Sequence, residues 1–141
     1  MFALGLRSSM LLWISCIASR DVWASVHIAN GTVHGVTDHG SGVEKFLGIP
    51  YAEPPVGDRR LRQAEPLEQS FGTLGADKFG PSCISARDQG PESEDCLTLN
   101  IWRPESAAGG NSSLPVLVWL YGGSLTSGYT VSLHVANIAL A

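Results

Sequence analysis

The run Leu114-Pro115-Val116-Leu117-Val118-Trp119-Leu120-Tyr121 is continuously apolar, rich in β-branched and aromatic residues, and ends in Gly122-Gly123-Ser124-Leu125. A strand that runs into paired glycines has a chemical use. Without Cβ atoms the loop can turn tightly and aim successive backbone N–H groups at one point. Such donors stabilise the oxygen that becomes negative when an ester carbonyl turns tetrahedral, and losing one lowers the rate roughly 100- to 1000-fold. Taken alone, Gly-Gly-Ser after a buried strand is more often a plain turn, so this reading rests on its surroundings.

Nucleophilic ester hydrolysis also needs an activated serine on a strand-to-helix elbow, G-x-S-x-G, with an acid and a histidine. The 141 residues contain no G-x-S-x-G, and Ser124 has Thr126 where the second glycine should stand. His27, His34 and His39 lie in the N-terminal segment and His134 in the last apolar stretch. Each reads as a surface or filler residue. No metal-ligand spacing and no phosphate-binding glycine loop is present, so no cofactor is expected.

The elements that position the glycine loop follow from pattern. Val26–Ala29 and Thr32–Val36, separated by Asn30-Gly31, read as a two-stranded ribbon, because Asn-Gly readily takes the positive φ angles of a type I′ turn. Val43–Ile49 is a third strand, ended by Pro50. Ala52-Glu53-Pro54-Pro55-Val56-Gly57-Asp58 is an ordered surface loop, since adjacent prolines exclude helix and central strand. Residues 67–92 carry no period and are expected to meander. Leu97–Trp102 alternates as a half-buried strand does. After a linker from Glu105 to Ser113, residues 114–121 read as a strand buried on both faces.

Composition bounds the class. With 44% apolar and 16% charged residues the chain is ordinary for a globular domain. Nine Lys+Arg against thirteen Asp+Glu give a net charge of −4, scattered so that no basic stripe faces a phosphate backbone, and nucleic acid is excluded as a partner.

Residues 1–24 read as a secretory signal peptide: Arg7 precedes the mostly apolar run Met10–Ala18, and Val22-Trp23-Ala24 supplies acceptable −3 and −1 positions. The alternatives are a buried helix or a membrane anchor, but the run is about half the roughly 20 residues a span needs. A secreted, extracellular protein without a membrane span is expected.

Past Ala24 two cysteines remain, Cys83 and Cys96. An even pair in a secreted chain suggests a disulfide, worth roughly 3 kcal/mol for such a loop on the chain-entropy model. Two free buried thiols are the alternative. Asn30-Gly31-Thr32 and Asn111-Ser112-Ser113 are glycosylation sequons in turn-like sequence.

Several spaced segments resemble one family. They are Phe46-Leu47-Gly48-Ile49-Pro50-Tyr51-Ala52-Glu53-Pro54-Pro55-Val56-Gly57 with Arg59-Arg60-Leu61-Arg62, then Phe79-Gly80-Pro81-Ser82-Cys83, then Ser93-Glu94-Asp95-Cys96-Leu97-Thr98-Leu99-Asn100-Ile101-Trp102, and finally Tyr121-Gly122-Gly123-Ser124-Leu125. In this order they are similar to the type-B carboxylesterases and their lipase and cholinesterase relatives, over about residues 26–130.

The resemblance implies the N-terminal portion of an α/β-hydrolase: a small antiparallel ribbon and the first strands of a central mixed sheet, incomplete. It makes residues 25–130 the N-terminal part of a carboxylesterase type-B domain, with 131–141 a divergent tail. It gives the backbone amides of Gly123 and Ser124 as oxyanion-hole donors, although most relatives carry glycine or alanine at Ser124. It also implies an Arg60–Glu94 ion pair that holds the Pro-Pro loop against the disulfide loop.

The expected function is a secreted carboxylic ester hydrolase acting through a serine acyl-enzyme on a small-molecule or lipid ester. It is represented here before its nucleophile and is inactive as written. The alternatives are a non-catalytic cholinesterase-like binding or adhesion protein, or a truncated product without function. The short Cys83–Cys96 loop lacks tryptophan, which favours a general esterase or lipase over a choline-ester enzyme.

Overall fold

The structure is a computed structural model and describes residues 23–86, 90–110, 113–124 and 126–128. Seven strands are formed among the described residues: β1 (Trp23–Ile28), β2 (Gly31–Asp38), β3 (Val43–Pro50), β4 (Gly72–Gly75), β5 (Ser82–Cys83), β6 (Glu92–Ser93) and β7 (Thr98–Pro104). Single 3-10 turns lie at Gly57–Arg59 and Glu105–Ala107. The main sheet has the order β1-β2-β3-β7, all antiparallel, with β4 added in parallel to β2. β5 and β6 form a separate parallel pair.

The first hairpin differs by one residue from the sequence expectation. Ile28 pairs with Gly31, so Ala29 and Asn30 make the turn and Gly31 belongs to β2. Gly31 is needed elsewhere: a Cβ on it would lie 2.4 Å from the Gly72 carbonyl oxygen of β4. The Asn30 carbonyl accepts from the Phe71 amide at 3.0 Å and the Ser70 hydroxyl at 2.6 Å. Close approach of β4 and a φ of +137° together fix this glycine.

The core lies on one face of the sheet, where Ala24, Val33, Phe46, Ile49 and Ala76 are buried, with Val26, Phe71 and Leu74 packed against them. On β2, Val33 and Gly35 turn inward, and a Cβ on Gly35 would lie 2.6 Å from the Phe46 ring. The aromatic ring therefore occupies the space a side chain would take, and period-two alternation is what brings these residues to one side.

Alternation breaks in β3, where Phe46 and Leu47 are both buried. A bulge between Phe46 and Ile49 explains it. Gly48 takes φ +70°, and its amide donates to Asn100 Oδ1 on β7 at 2.8 Å. The Leu47 amide instead donates to the Ala76 carbonyl at 2.9 Å. At this bulge β3 thus bonds β7 through Gly48 and the segment after β4 through Leu47, beyond the stretch it pairs with β2.

Two expectations are corrected. Residues 67–92 do not simply meander, because they supply β4, β5 and β6. Residues 114–121 form no strand: Val116, Val118 and Leu120 are 87%, 75% and 84% exposed. A strand buried on both faces needs neighbours on both edges and cover on both sides. No described strand pairs with this run.

Residues 1–22, which carry most of the signal reading, lie outside the described residues, as do Asn111 and the tail beyond Gly128. Trp23 and Ala24 stand inside β1, and Ala24 is buried in the core. A cut after Ala24 would divide β1 after its second residue. No helix among the described residues is long and apolar enough to cross a membrane.

Candidate active site

The glycine loop is a tight turn organised around one carbonyl. The Gly123 oxygen accepts from the Thr126 and Ser127 amides, each at 3.1 Å, and from their hydroxyls at 3.2 and 3.3 Å. Gly123 has φ +141°, and a Cβ there would fall 1.7 Å from the Ser127 carbonyl oxygen. Only glycine fits. Gly128 is constrained in the same way, since a Cβ on it would lie 2.5 Å from the Gly122 oxygen and 2.4 Å from the Tyr121 ring.

Ser124 takes φ +54°, one of two non-glycine residues with positive φ among the described residues. A left-handed serine costs about 1–2 kcal/mol relative to its preferred regions. Among the described residues no hydrogen bond engages the Gly123 or Ser124 amide. The two consecutive donors are therefore left for another acceptor.

Behind the turn lies the disulfide loop. Cys83 and Cys96 are bonded with their Cα atoms 5.0 Å apart, 13 positions apart in sequence. Inside the loop β5 pairs with β6, the Ser82 amide donates to the Pro91 carbonyl at 2.9 Å, and the Ser85 hydroxyl donates to Glu92 at 3.1 Å. The Ala86 amide donates to the Thr126 carbonyl at 3.1 Å, joining this loop to the glycine turn.

Arg60 Nε stands 2.7 Å from Glu94 Oε1, and the Arg60 side chain is 65% exposed. An exposed pair of this kind contributes at most about 1 kcal/mol. Arg59 is engaged separately: it bonds Glu65 at 3.0 Å, which raises its guanidinium pKa, and lies 4.0 Å from Glu53.

The histidines are dispersed. His27 faces Thr32 at 3.1 Å, His39 faces Glu105 at 3.7 Å, and His34 Nδ1 is buried without a partner. None of these three, the described histidines, is joined to a serine and carboxylate as a triad requires. Among the described residues no cluster of three or more His, Cys, Asp or Glu could hold a metal ion. An open cleft lined by Pro50, Glu53, Arg59, Glu68, Ser70 and Phe71 includes no residue of the glycine turn.

Asn30 presents Nδ2 to the Leu67 carbonyl at 3.4 Å, so the atom that would carry a glycan already makes a contact within the chain. Sequence reading missed Glu44 and Arg103, which form a largely buried ion pair between β3 and β7, and it missed Ala86, whose part is played by its backbone.

The sequence model of the carboxylesterase family matches residues 23–140. The chain is similar to the fumonisin B1 esterase of Sphingopyxis macrogoltabida, with 44% identity over 122 residues covering 82% of this chain and 22% of that protein. It is similar to acetylcholinesterase-1 of Trittame loki, with 37% identity over 141 residues covering 90% of this chain and 25% of that protein. Among solved structures it resembles EstA of Aspergillus niger, with a TM-score of 0.74 and 29% identity over 84% of this chain and 23% of that one. The chain thus spans roughly a quarter of the length of the curated relatives it matches.

Proposed function

The chain belongs to the carboxylesterase family, and from that premise we propose that it forms the oxyanion-hole part of a secreted carboxylic ester hydrolase working through a serine acyl-enzyme. Its fold is the sheet-rich N-terminal portion of an α/β-hydrolase. The observation that carries the functional reading is the turn at Gly123: two consecutive amides, Gly123 and Ser124, make no hydrogen bond within the described chain and stand in a backbone conformation stabilised by four donors to the Gly123 carbonyl.

In the proposed reaction a serine attacks the ester carbonyl, the carbonyl oxygen takes the negative charge, and the Gly123 and Ser124 N–H groups donate to it. A turn already fixed before the substrate arrives needs no reorganisation as charge develops, which is why such donors lower the barrier. The nucleophile, acid and histidine are assigned to no residue of this sequence, which contains no G-x-S-x-G and joins no described histidine to a triad. The 141 residues by themselves are accordingly proposed to be inactive. The chemistry needs no cofactor. Secretion is supported by the sequence pattern of residues 1–24 and by the Cys83–Cys96 disulfide, which belongs to oxidising compartments.

The test is to sequence the full transcript beyond codon 128 and express its product. An in-frame G-x-S-x-G and a burst of p-nitrophenol from p-nitrophenyl acetate, marking acyl-enzyme accumulation, are expected. A folded, full-length product that carries no such elbow and releases no p-nitrophenol would overturn the hydrolase reading in favour of a non-catalytic relative.

A further inference from the structure

The glycine turn has a support that its own sequence does not announce. Among the described residues, the backbone hydrogen bond tying residues 121–128 to the rest of the chain runs from the Ala86 amide to the Thr126 carbonyl. Thr126 in turn donates its amide and its hydroxyl to the Gly123 carbonyl. A displacement of Thr126 therefore displaces the Gly123–Ser124 peptide, which carries the Ser124 N–H and adjoins the Gly123 N–H.

Ala86 is itself held. Three residues earlier stands Cys83, bonded to Cys96, and Cys96 lies two positions before β7. Ser85 bonds Glu92, the Ser82 amide bonds the Pro91 carbonyl, and Glu94 meets Arg60 at 2.7 Å. Gly80 sits so close to β7 that a Cβ on it would fall 2.5 Å from the Thr98 hydroxyl oxygen. A continuous path of bonds thus runs from the main sheet through the disulfide loop to the turn, while residues 114–121 lead into that turn without any strand pairing.

We propose that the Ala86 amide is a positioning group for ester hydrolysis: the Cys83–Cys96 loop clamps the Gly123–Ser124 donors in register through Ala86 N–H to Thr126 C=O. The proposal rests on the oxyanion-hole reading of Gly123 and Ser124. The group touches no substrate, so its effect is on transition-state stabilisation and not on substrate binding. Donors misplaced by about an ångström lower the rate on the order of 100-fold.

The experiment uses the full-length protein and the variants Ala86→Pro, which deletes the N–H, and Ala86→Gly, which keeps it. For Ala86→Pro, kcat on p-nitrophenyl acetate should fall about 10- to 100-fold with KM within about twofold, the signature of an interaction made mainly in the transition state. Ala86→Gly should keep parental kcat. Amide hydrogen exchange, read on the same proteins, should be faster at Thr126 and Ser127 in the proline variant only.

Equal loss of kcat in both variants, or unchanged exchange at Thr126 and Ser127 in a folded proline variant, would overturn the proposal. If Ala86→Pro does not fold, the parent protein decides: an Ala86 amide exchanging at the rate of an unprotected peptide would overturn it, and a protected one supports it. A parent that hydrolyses no ester refutes the functional reading by itself, while the exchange data still report whether the clamp exists.

Discussion

The carboxylate of Glu44 on β3 is bound by the guanidinium of Arg103, its direct cross-strand partner on β7. The Glu44 side chain is only 6% exposed and that of Arg103 25%. The guanidinium also lies 5.3 Å from the centre of the Phe46 ring. One arginine thus neutralises a buried charge and caps an aromatic residue of the core, at the seam between two strands far apart in sequence.

Removing Arg103 would leave that carboxylate buried and unpaired. Arg103→Met is expected to destabilise the protein by about 3 kcal/mol, the lower end of the range for broken buried pairs because the arginine keeps some solvent contact. In Glu44→Gln/Arg103→Met the loss should be smaller than the sum of the single losses by about 1–2 kcal/mol. Urea denaturation of the four proteins in a double-mutant cycle measures this, and simple additivity would contradict the coupling.

Gly48 predicts a second outcome. A Cβ there would lie 2.6 Å from the Lys78 carbonyl oxygen and 3.0 Å from the Gly80 nitrogen, both backbone atoms, and φ is +70°. Neither neighbour can rotate away. Gly48→Ala is expected to cost about 1–3 kcal/mol, read as a lowered urea midpoint with an unchanged slope. Gly42→Ala, which shares a positive φ of 65° but meets nothing within 4 Å, should cost less.

Acid stability supplies a third. The Asp38 carboxyl pKa is pulled down to about 2, first by the hydrogen bond from Lys45 and next by Ser41. A carboxylate with a depressed folded-state pKa contributes stability that is fully present above its ordinary value near 4, and that fades as pH falls toward 2. Asp38→Asn should therefore lower the melting temperature at pH 6, with the gap to the parent shrinking below pH 4 and closing near pH 2. The group is exposed, so the gap should also narrow in high salt. A gap that is constant from pH 6 to pH 2 would rule out this electrostatic origin.

Strands whose side chains alternate or that end at a proline were legible from the residues, as β2, most of β3, and β7 show. β4 was not, because Gly72-Thr73-Leu74-Gly75 has two glycines and three exposed positions, and its existence depends on β2 being there to receive it. The apolar run 114–121 was read as a strand because composition reports what a segment is able to pair with and says nothing of whether a partner is at hand. At the candidate site, the glycines were legible because a missing Cβ is itself a signal. Ala86 was illegible, since its part is played by a backbone amide that every residue but proline possesses.

The two edges of β3 are reached through loops of very different length. β1, β2 and β3 are joined by loops of two and four residues, at 29–30 and 39–42, whereas β7 reaches β3 only after the intervening residues 51–97. Short loops close at little entropic cost and long ones more slowly. The meander of residues 23–50 can therefore register itself from local contacts, without waiting for the second edge of β3 to be filled. β7, which carries the Asn100 acceptor for the Gly48 amide, must close the loop of residues 51–97 to reach β3 and is the costlier strand to seat, and its seating is what brings Cys96 within bonding reach of Cys83.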